Sequence, residues 1–132
     1  MLQDVFMREA TVRTPHVRLD SHAQTFEMTG ESYPEDINRF YDPVLAALDQ
    51  YFKSSDRGLT CSINLHYFNS SSARQLMEIL NHLDSEAKKG RPVQVEWCCV
   101  SDDDIIIEFA EDIASEVTAL QFHIKMIAPT DL

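Results

Sequence analysis

The chain alternates between segments in which every second residue is apolar and segments in which apolar residues recur every three or four positions. The first pattern is typical of half-buried strands, and the second is typical of amphipathic helices. Residues 59–68 form the clearest strand pattern, with apolar positions at Leu59, Cys61, Ile63, Leu65 and Tyr67. Weaker alternation predicts further strands over residues 17–22, 24–29, 92–100 and 120–126.

The first predicted helix follows Gly30 and carries apolar residues at helical spacing over residues 37–52. Ser32 is followed three residues later by Glu35, which is the spacing of a capping box, so Ser32 is the predicted N-cap. Asp42 followed by Pro43 resembles an N-cap residue followed by a proline at the first position of a new helix. The sequence therefore predicts a kink at Pro43 or two abutting helices.

Two more helices are predicted after the strands that end near Phe68 and Val100. The second helix follows Asn69 and three serines, and it ends near Gly90, a residue that favours a left-handed cap. Its predicted inward residues are Ala73, Leu76, Met77, Leu80, Leu83 and Ala87. The third helix covers residues 102–117, with Ile106, Phe109, Ala110, Ile113 and Val117 inward.

The element order is β-β-α-β-α-β-α-β, and strands that alternate with helices indicate a sheet built from parallel crossovers. A parallel sheet covered on both faces has continuous apolar strands, whereas these strands alternate. The sequence therefore predicts an α/β fold. It is a two-layer single domain over residues 1–132, with a largely parallel sheet of about five strands and helices mainly on one face.

Composition limits the partners and the cellular setting. The 132 residues carry a net charge of −11, which disfavours nucleic acid and anionic membranes, since both require a basic surface. The N-terminal residues have no apolar run of signal-peptide length, and no apolar run could span a bilayer. Cys61, Cys98 and Cys99 are an odd number of cysteines in strand-like segments. A reduced, cytoplasmic setting is therefore predicted, with no metal ligands among the cysteines.

Three loops are predicted to meet at one edge of the sheet, because the carboxyl ends of parallel strands lie together. They cover residues 30–35, 69–72 and 101–104, and each leads into a helix N-terminus, where an anion is favoured. A phosphoryl group on Ser70 or Ser71 would lie there, close to acidic residues that repel it. Serines between a strand and a helix are more often simple caps, so these residues alone leave both roles open.

Four segments carry a resemblance to a known family. They are GESYPED at 30–36, FYDPVLAALDQYF at 40–52, LHYFNSSSAR at 65–74 and VEWCCVSDDDIIIEFAEDI at 95–113. Together they resemble the SiaC family of bacterial regulatory phosphoproteins, and the similarity runs in order from about residue 17 to residue 127. The resemblance implies a fold similar to STAS (anti-anti-sigma) domains.

The resemblance also implies a function. Family members are phosphorylated on a hydroxyl residue by a kinase with a histidine-kinase-like ATP-binding fold, and a PPM-type phosphatase reverses the modification. The unphosphorylated form binds and activates a diguanylate cyclase, which promotes cyclic-di-GMP synthesis and biofilm formation. By resemblance this chain is a cytoplasmic, non-enzymatic regulator that needs no cofactor and acts through protein–protein interaction.

Carried over to this sequence, the phospho-acceptor falls on Ser70, directly after Asn69, with Ser71 and Ser72 as alternatives. The residues expected to contact the partner lie in the three loops. They are Glu31, Ser32, Tyr33, Pro34, Glu35, Asn69, Ser71, Asp102 and Asp104.

An alternative uses the polar face of the sheet. His66, Glu96 and His123 lie at polar strand positions and indicate a small acidic metal-binding or enzymatic domain, although no tight ligand spacing supports it. The same face carries both signs of charge, which would suit a homodimer, a partner or solvent. A catalytic reading finds neither a nucleophile elbow nor a phosphate-cradling glycine loop. The sequence therefore favours a regulator over an enzyme.

Overall fold

The computed structural model describes residues 5–100 and 102–129. Its strands are β1 (Val5–Arg8), β2 (His16–Asp20), β3 (Thr25–Ser32), β4 (Leu59–Phe68), β5 (Val93–Val100) and β6 (Gln121–Ile127). Its helices are α1 (Ile37–Ser54), α2 (Ser70–Lys88) and α3 (Asp104–Glu116). Ser101, which the sequence places in the third loop, lies outside the described residues.

The strands form one six-stranded sheet in the sequential order β1 to β6. Strands β1, β2 and β3 are antiparallel neighbours, whereas β3, β4, β5 and β6 pair in parallel. The predicted sheet of about five strands was therefore one strand short, because β1 was missed. Only Phe6 of this short edge strand is partly buried, so β1 shows too little alternation to be recognised.

The three helices contribute to one apolar core with one face of the sheet. Its largest fully buried side chains include Trp97, Tyr41, Phe26, Leu48 and Leu80. On the opposite face, which we call the open face, one row across five strands consists of Arg18, Glu27, Ser62, Glu96 and His123. The two-layer arrangement therefore matches the alternation of the strands. Among the described residues, no helix is long and apolar enough to cross a membrane.

Strand β3 extends further than the sequence indicates. Ser32 is its last residue and pairs with Phe68 of β4, so Ser32 is not the predicted cap of α1. Asp36 takes that role, and its carboxylate accepts a hydrogen bond from the Arg39 backbone N–H at 3.2 Å. Strand β3 continues to Ser32 because the Ser32 hydroxyl forms hydrogen bonds to buried groups of other segments. A local capping pattern gives no sign of these contacts.

Helix α1 is continuous through Pro43, so the two abutting helices are not formed. Proline lacks the N–H that would bond the carbonyl four residues earlier. Tyr41 and Val44 on either side of it are fully buried, as is Leu48 one turn later. Packing of this face onto the sheet therefore outweighs the loss of one backbone hydrogen bond.

Helices α2 and α3 confirm most of the predicted inward positions. In α2, Leu76, Leu80 and Leu83 are buried, and Ile79 joins them. In α3, Ile106, Ala110 and Ile113 are buried. Helix α3 begins two residues later than predicted because the Asp103 side chain caps it, accepting from the Ile106 N–H at 3.2 Å. The apolar spacing thus located the helix faces better than the helix ends.

Asp84 of α2 holds the loop that leads into β6. Its buried carboxylate accepts backbone N–H groups of Thr118, Ala119 and Leu120 at 3.1, 2.9 and 2.9 Å. Desolvation acts to raise the Asp84 pKa, but these three bonds and the Lys88 charge outweigh it and lower the pKa below its usual value of 3.8. The charged Asp84 side chain therefore connects α2 to the loop that leads into β6.

We expect Asp84→Asn to destabilise the protein by about 1–3 kcal/mol near neutral pH, because charge-assisted hydrogen bonds become neutral ones. A carboxylate with a lowered folded pKa stabilises the fold above its unfolded pKa, and this stabilisation is lost as the pH falls through the folded value. Urea unfolding at pH 7 and between pH 5 and 3 tests this. The stability of Asp84→Asn should fall less steeply on acidification, whereas the control Asp112→Asn, at an exposed position of α3, should resemble the original protein.

Candidate functional site

The loops that follow β3, β4 and β5 lie at one edge of the sheet. Ser32 at the end of β3 pairs with Phe68 at the end of β4, and the Asn69 N–H donates to the Ser32 carbonyl at 3.1 Å. β5 is parallel to β4, with Trp97 opposite Ile63, so its following loop emerges on the same side. We call this edge, formed by residues 31–36, 66–71 and 102–104, the serine edge.

The three consecutive serines have different environments. Ser70 and Ser71 form the first turn of α2 and are exposed, whereas Ser72 is fully buried. None of them is the N-cap, because the Asn69 side chain accepts from the Ser72 backbone N–H at 2.9 Å. The capping role that a strand–helix junction requires is thus filled by Asn69, which leaves the hydroxyls of Ser70 and Ser71 at the surface.

Beneath that turn, three buried hydroxyl groups form a chain. The Ser32 hydroxyl lies 2.6 Å from the Tyr41 hydroxyl and 2.8 Å from the Ser72 hydroxyl. Burial raises the pKa of Tyr41, and the hydrogen bonds to the two serines only partly oppose that shift. The phenol is therefore neutral, and the chain joins the end of β3 to α1 and α2. Ser32, expected from the sequence to contact a partner, lies behind the surface instead.

The loop after β3 is held by the connection between β1 and β2. The Tyr33 N–H donates to the Arg13 carbonyl at 2.7 Å, and the Arg13 guanidinium lies 2.6 Å from the Glu35 carboxylate. Tyr33 and Pro34 are half-buried, whereas Glu35 is exposed. Sequence reasoning missed Arg13, because nothing in the local pattern brings residue 13 close to residue 35.

Several exposed acidic side chains lie along the serine edge. Glu31, Asp102 and Asp104 are exposed, while Asp103 is engaged as the cap of α3. Arg13 at the same edge is ion-paired with Glu35. An added anion at Ser70 or Ser71 would therefore enter a negatively charged neighbourhood.

Strand β4 contains an irregularity that the sequence did not reveal. Gly30 pairs with Leu65, but the next residue, Glu31, pairs with Tyr67, so His66 is an extra residue in β4. After this bulge the alternation is reversed. Phe68 packs inward, with ring centroids 6.2 Å from Trp97 and 4.9 Å from Phe109.

Tyr67, predicted to point inward, is consequently turned toward the open face and is 50% exposed. Its ring packs edge-to-face on Tyr33, with centroids 5.7 Å apart and planes at 69°. The only signal in the sequence is the run of two aromatic residues, Tyr67 and Phe68, where strict alternation calls for one. The sequence pattern therefore gave no indication of this aromatic pair, in which Tyr67 is exposed and Tyr33 is half-buried.

The structure does not bring the three residues of the alternative site together. Glu96 and His123 are register neighbours, but His66 lies four residues beyond Ser62, the β4 residue paired with Glu96. At about 3.3 Å per residue this separation is about 13 Å. Glu96 instead lies 3.8 Å from Lys125. Within the described ranges, no cluster of three His, Cys, Asp or Glu side chains could hold a metal ion.

Comparison with known sequences gives a clear family match. Residues 8–127 match the sequence profile of a family described as SiaC family regulatory phosphoprotein. A protein of Pseudomonas aeruginosa strain UCBPP-PA14, described as uncharacterized, is 29% identical over 116 residues. That alignment covers 86% of this chain and 92% of the relative.

Solved structures agree with this match. The apo form of SiaC from Pseudomonas aeruginosa is 28% identical and superposes with a TM-score of 0.85, covering 93% of this chain and 99% of that one. SiaC in complex with the diguanylate cyclase SiaD, which it activates, is 27% identical with a TM-score of 0.87. That alignment covers 92% of this chain and 99% of the SiaC chain. The shared fold thus extends over nearly the whole molecule.

Proposed function

This chain belongs to the SiaC family of regulatory phosphoproteins, and we propose that its unphosphorylated form binds and activates a diguanylate cyclase in the cytoplasm. The proposal is supported by the likeness to SiaC in its complex with SiaD. It makes the chain a non-enzymatic regulator of cyclic-di-GMP synthesis. The serine edge is the proposed contact surface, through Glu31, Tyr33, Pro34 and the first turn of α2.

We propose Ser70 as the phospho-acceptor. The observation that carries this proposal is its exposed hydroxyl at the first position of α2, directly after the capping residue Asn69. Ser72 is a poor acceptor, since its hydroxyl is fully buried against Ser32. Ser71 is exposed as well, and the order of the family motif favours Ser70 over it.

Phosphorylation of Ser70 would act through charge and not through unfolding. It adds about −1.5 to −2 charges and three acceptor oxygens beside a helix N-terminus, where the dipole favours an anion by about 0.3–1 kcal/mol. The fold should therefore tolerate the group. A partner packed on this edge would have to desolvate a near-dianion next to Glu31 and Asp102, which is strongly unfavourable without a compensating cation.

Two enzymes complete the proposed switch. A protein kinase with a histidine-kinase-like ATPase fold would phosphorylate Ser70, and a PPM-type phosphatase would remove the group. Both would need access to the hydroxyl, and its place on the exposed first turn of α2 provides that access.

The test is a titration of purified chain, unmodified and kinase-treated, against the full-length diguanylate cyclase of the same organism. Mass spectrometry locates the phosphate, and cyclic-di-GMP production reports activation. We expect phosphate on Ser70 and a loss of cyclase affinity of at least about 100-fold, corresponding to about 2.7 kcal/mol. Ser70→Ala should bind and activate but resist the kinase, whereas the matched control Ser71→Ala should still be modified.

Two results would contradict the proposal in different ways. Phosphate found on Ser71 alone would overturn the choice of acceptor and leave the switch in place. Equal cyclase affinity of the modified and unmodified chains would overturn the electrostatic mechanism itself.

A further inference from the structure

We propose that Tyr67, turned outward by the bulge in β4 and braced by Tyr33, is the anchor of the docking surface for the partner. The occupant we propose is a partner segment that places an apolar side chain on the two tyrosine rings and a lysine or arginine beside Glu31. This inference rests on the proposed function and deepens it, because it states which chemistry the partner must present.

The bulge is what creates this surface. If His66 occupied a regular paired position in the ladder, the alternation of Cys61, Ile63 and Leu65 would direct Tyr67 into the core. The bulge coincides with Gly30, whose φ of +126° is a conformation that side chains with a Cβ rarely adopt. Bulges weaken a ladder locally and often serve to redirect a side chain near a functional site. Here the side chain that is redirected is a tyrosine.

The exposed ring is suited to binding because it is held in place. Tyr67 is 50% exposed, yet its edge-to-face contact with Tyr33 limits its rotamers before any partner arrives. Tyr33 is itself fixed by its backbone bond to Arg13. Rigid tyrosines are enriched among residues that dominate interface energies, since they bury a large area at a small entropic cost.

The charge next to the pair determines the chemistry of the partner. Glu31 is the register partner of Tyr67 and is exposed on the same face of the sheet. Arg13, a cation at the same edge, is ion-paired with Glu35. A cationic side chain of the partner would therefore complement the negative charge of the serine edge. A second copy of this chain, with its net charge of −11, would be repelled by it.

The position of the pair also connects it to the serine turn. Tyr67 precedes Ser70 by three residues, and the backbone between them is tied to β3 by the Asn69 N–H and the Ser32 carbonyl. A phosphoryl group on Ser70 and a partner bound to Tyr67 would thus occupy adjoining parts of the serine edge.

The experiment measures the affinity of the unmodified chain for the full-length diguanylate cyclase of the same organism, by calorimetry at two salt concentrations. We expect Tyr67→Ala to weaken binding about 30-fold and Tyr67→Phe to weaken it only slightly, because the ring and not the hydroxyl makes the contact. Glu31→Gln should weaken binding and reduce the change in affinity between the two salt concentrations. Met126→Ala is the matched control, since Met126 is equally exposed, at 50%, on the edge strand β6.

The outcomes separate this inference from the proposed function. If the original chain binds and Tyr67→Ala binds equally well, the inference is overturned and the function stands. If Tyr67→Ala weakens binding while phosphorylated and unmodified chains bind alike, the anchor stands and the switch is wrong. If the chain does not bind the cyclase, the proposed function is overturned together with the inference. If the chain binds the cyclase but self-associates through Tyr67, the function stands and the proposed occupant is wrong.

Discussion

Leu80→Ala should destabilise the protein by about 2–5 kcal/mol, because it removes buried methyl groups and leaves a cavity that the surroundings fill only partly. Leu80 is fully buried on the inner face of α2, between the layers of helix and sheet. Chemical denaturation should show a lower midpoint with an unchanged slope, which indicates a change in stability and not in the extent of unfolding.

Two variants of the serine turn provide the comparison for Leu80→Ala. Asn69→Ala removes the cap of α2 and should cost about 1 kcal/mol. Ser70→Ala changes an exposed hydroxyl that caps nothing, so its effect should stay within about 0.5 kcal/mol. If Ser70→Ala were the most destabilising of the three, Ser70 would have a structural role, and its conservative replacement could no longer be used to isolate the switch.

Gly58→Ala should destabilise the protein by about 2–4 kcal/mol. Gly58 lies in the loop between α1 and β4, and Pro92 leaves no room there for a methyl group. A Cβ placed on Gly58 would lie 2.1 Å from the Pro92 carbonyl oxygen and 2.6 Å from the Pro92 Cγ. That oxygen accepts the Leu59 N–H at 3.1 Å, so it cannot withdraw without breaking a bond. The Gly58 carbonyl also accepts a hydrogen bond from the buried hydroxyl of Tyr51.

Gly90→Ala is the control for this prediction. Gly90 has a φ of +99° after α2, with open space around the position of a Cβ. The substitution should therefore cost only backbone strain, about 1 kcal/mol. Thermal and urea unfolding of both variants measures the difference. Equal losses would show that the chain relaxes at Gly58 and that the close approach of Pro92 is not a constraint.

Much of the architecture could be predicted from the periodicity of the chain. The spacing of apolar residues located three helices and five of the six strands, and it identified Leu76 and Leu80 as core residues. These features are local, since they depend on which residues of one segment share a face. The family resemblance and the candidate acceptor Ser70 were also readable from contiguous motifs, because both depend on short stretches of sequence.

The environment of each candidate residue was decided by the tertiary structure. Ser70 and Ser72 are equivalent in the sequence pattern, yet one is exposed and the other is buried against Ser32, forty residues earlier in the chain. Tyr67 was placed on the wrong face because one extra residue in β4, visible only in its register with β3, reverses the alternation.

The errors share one physical cause. Ser32 fits a capping box, and Tyr67 fits the alternation of an inward-facing strand position, so each local pattern predicts the wrong role. These patterns are overruled by contact with another segment: Tyr41 and Ser72 for Ser32, and the register of β4 with β3 for Tyr67. The sequence by itself determined the three helices, five of the six strands and the family that the chain resembles. Only the packing of those segments decided which hydroxyl is accessible and which aromatic ring is exposed, because burial and register arise between segments and not within them.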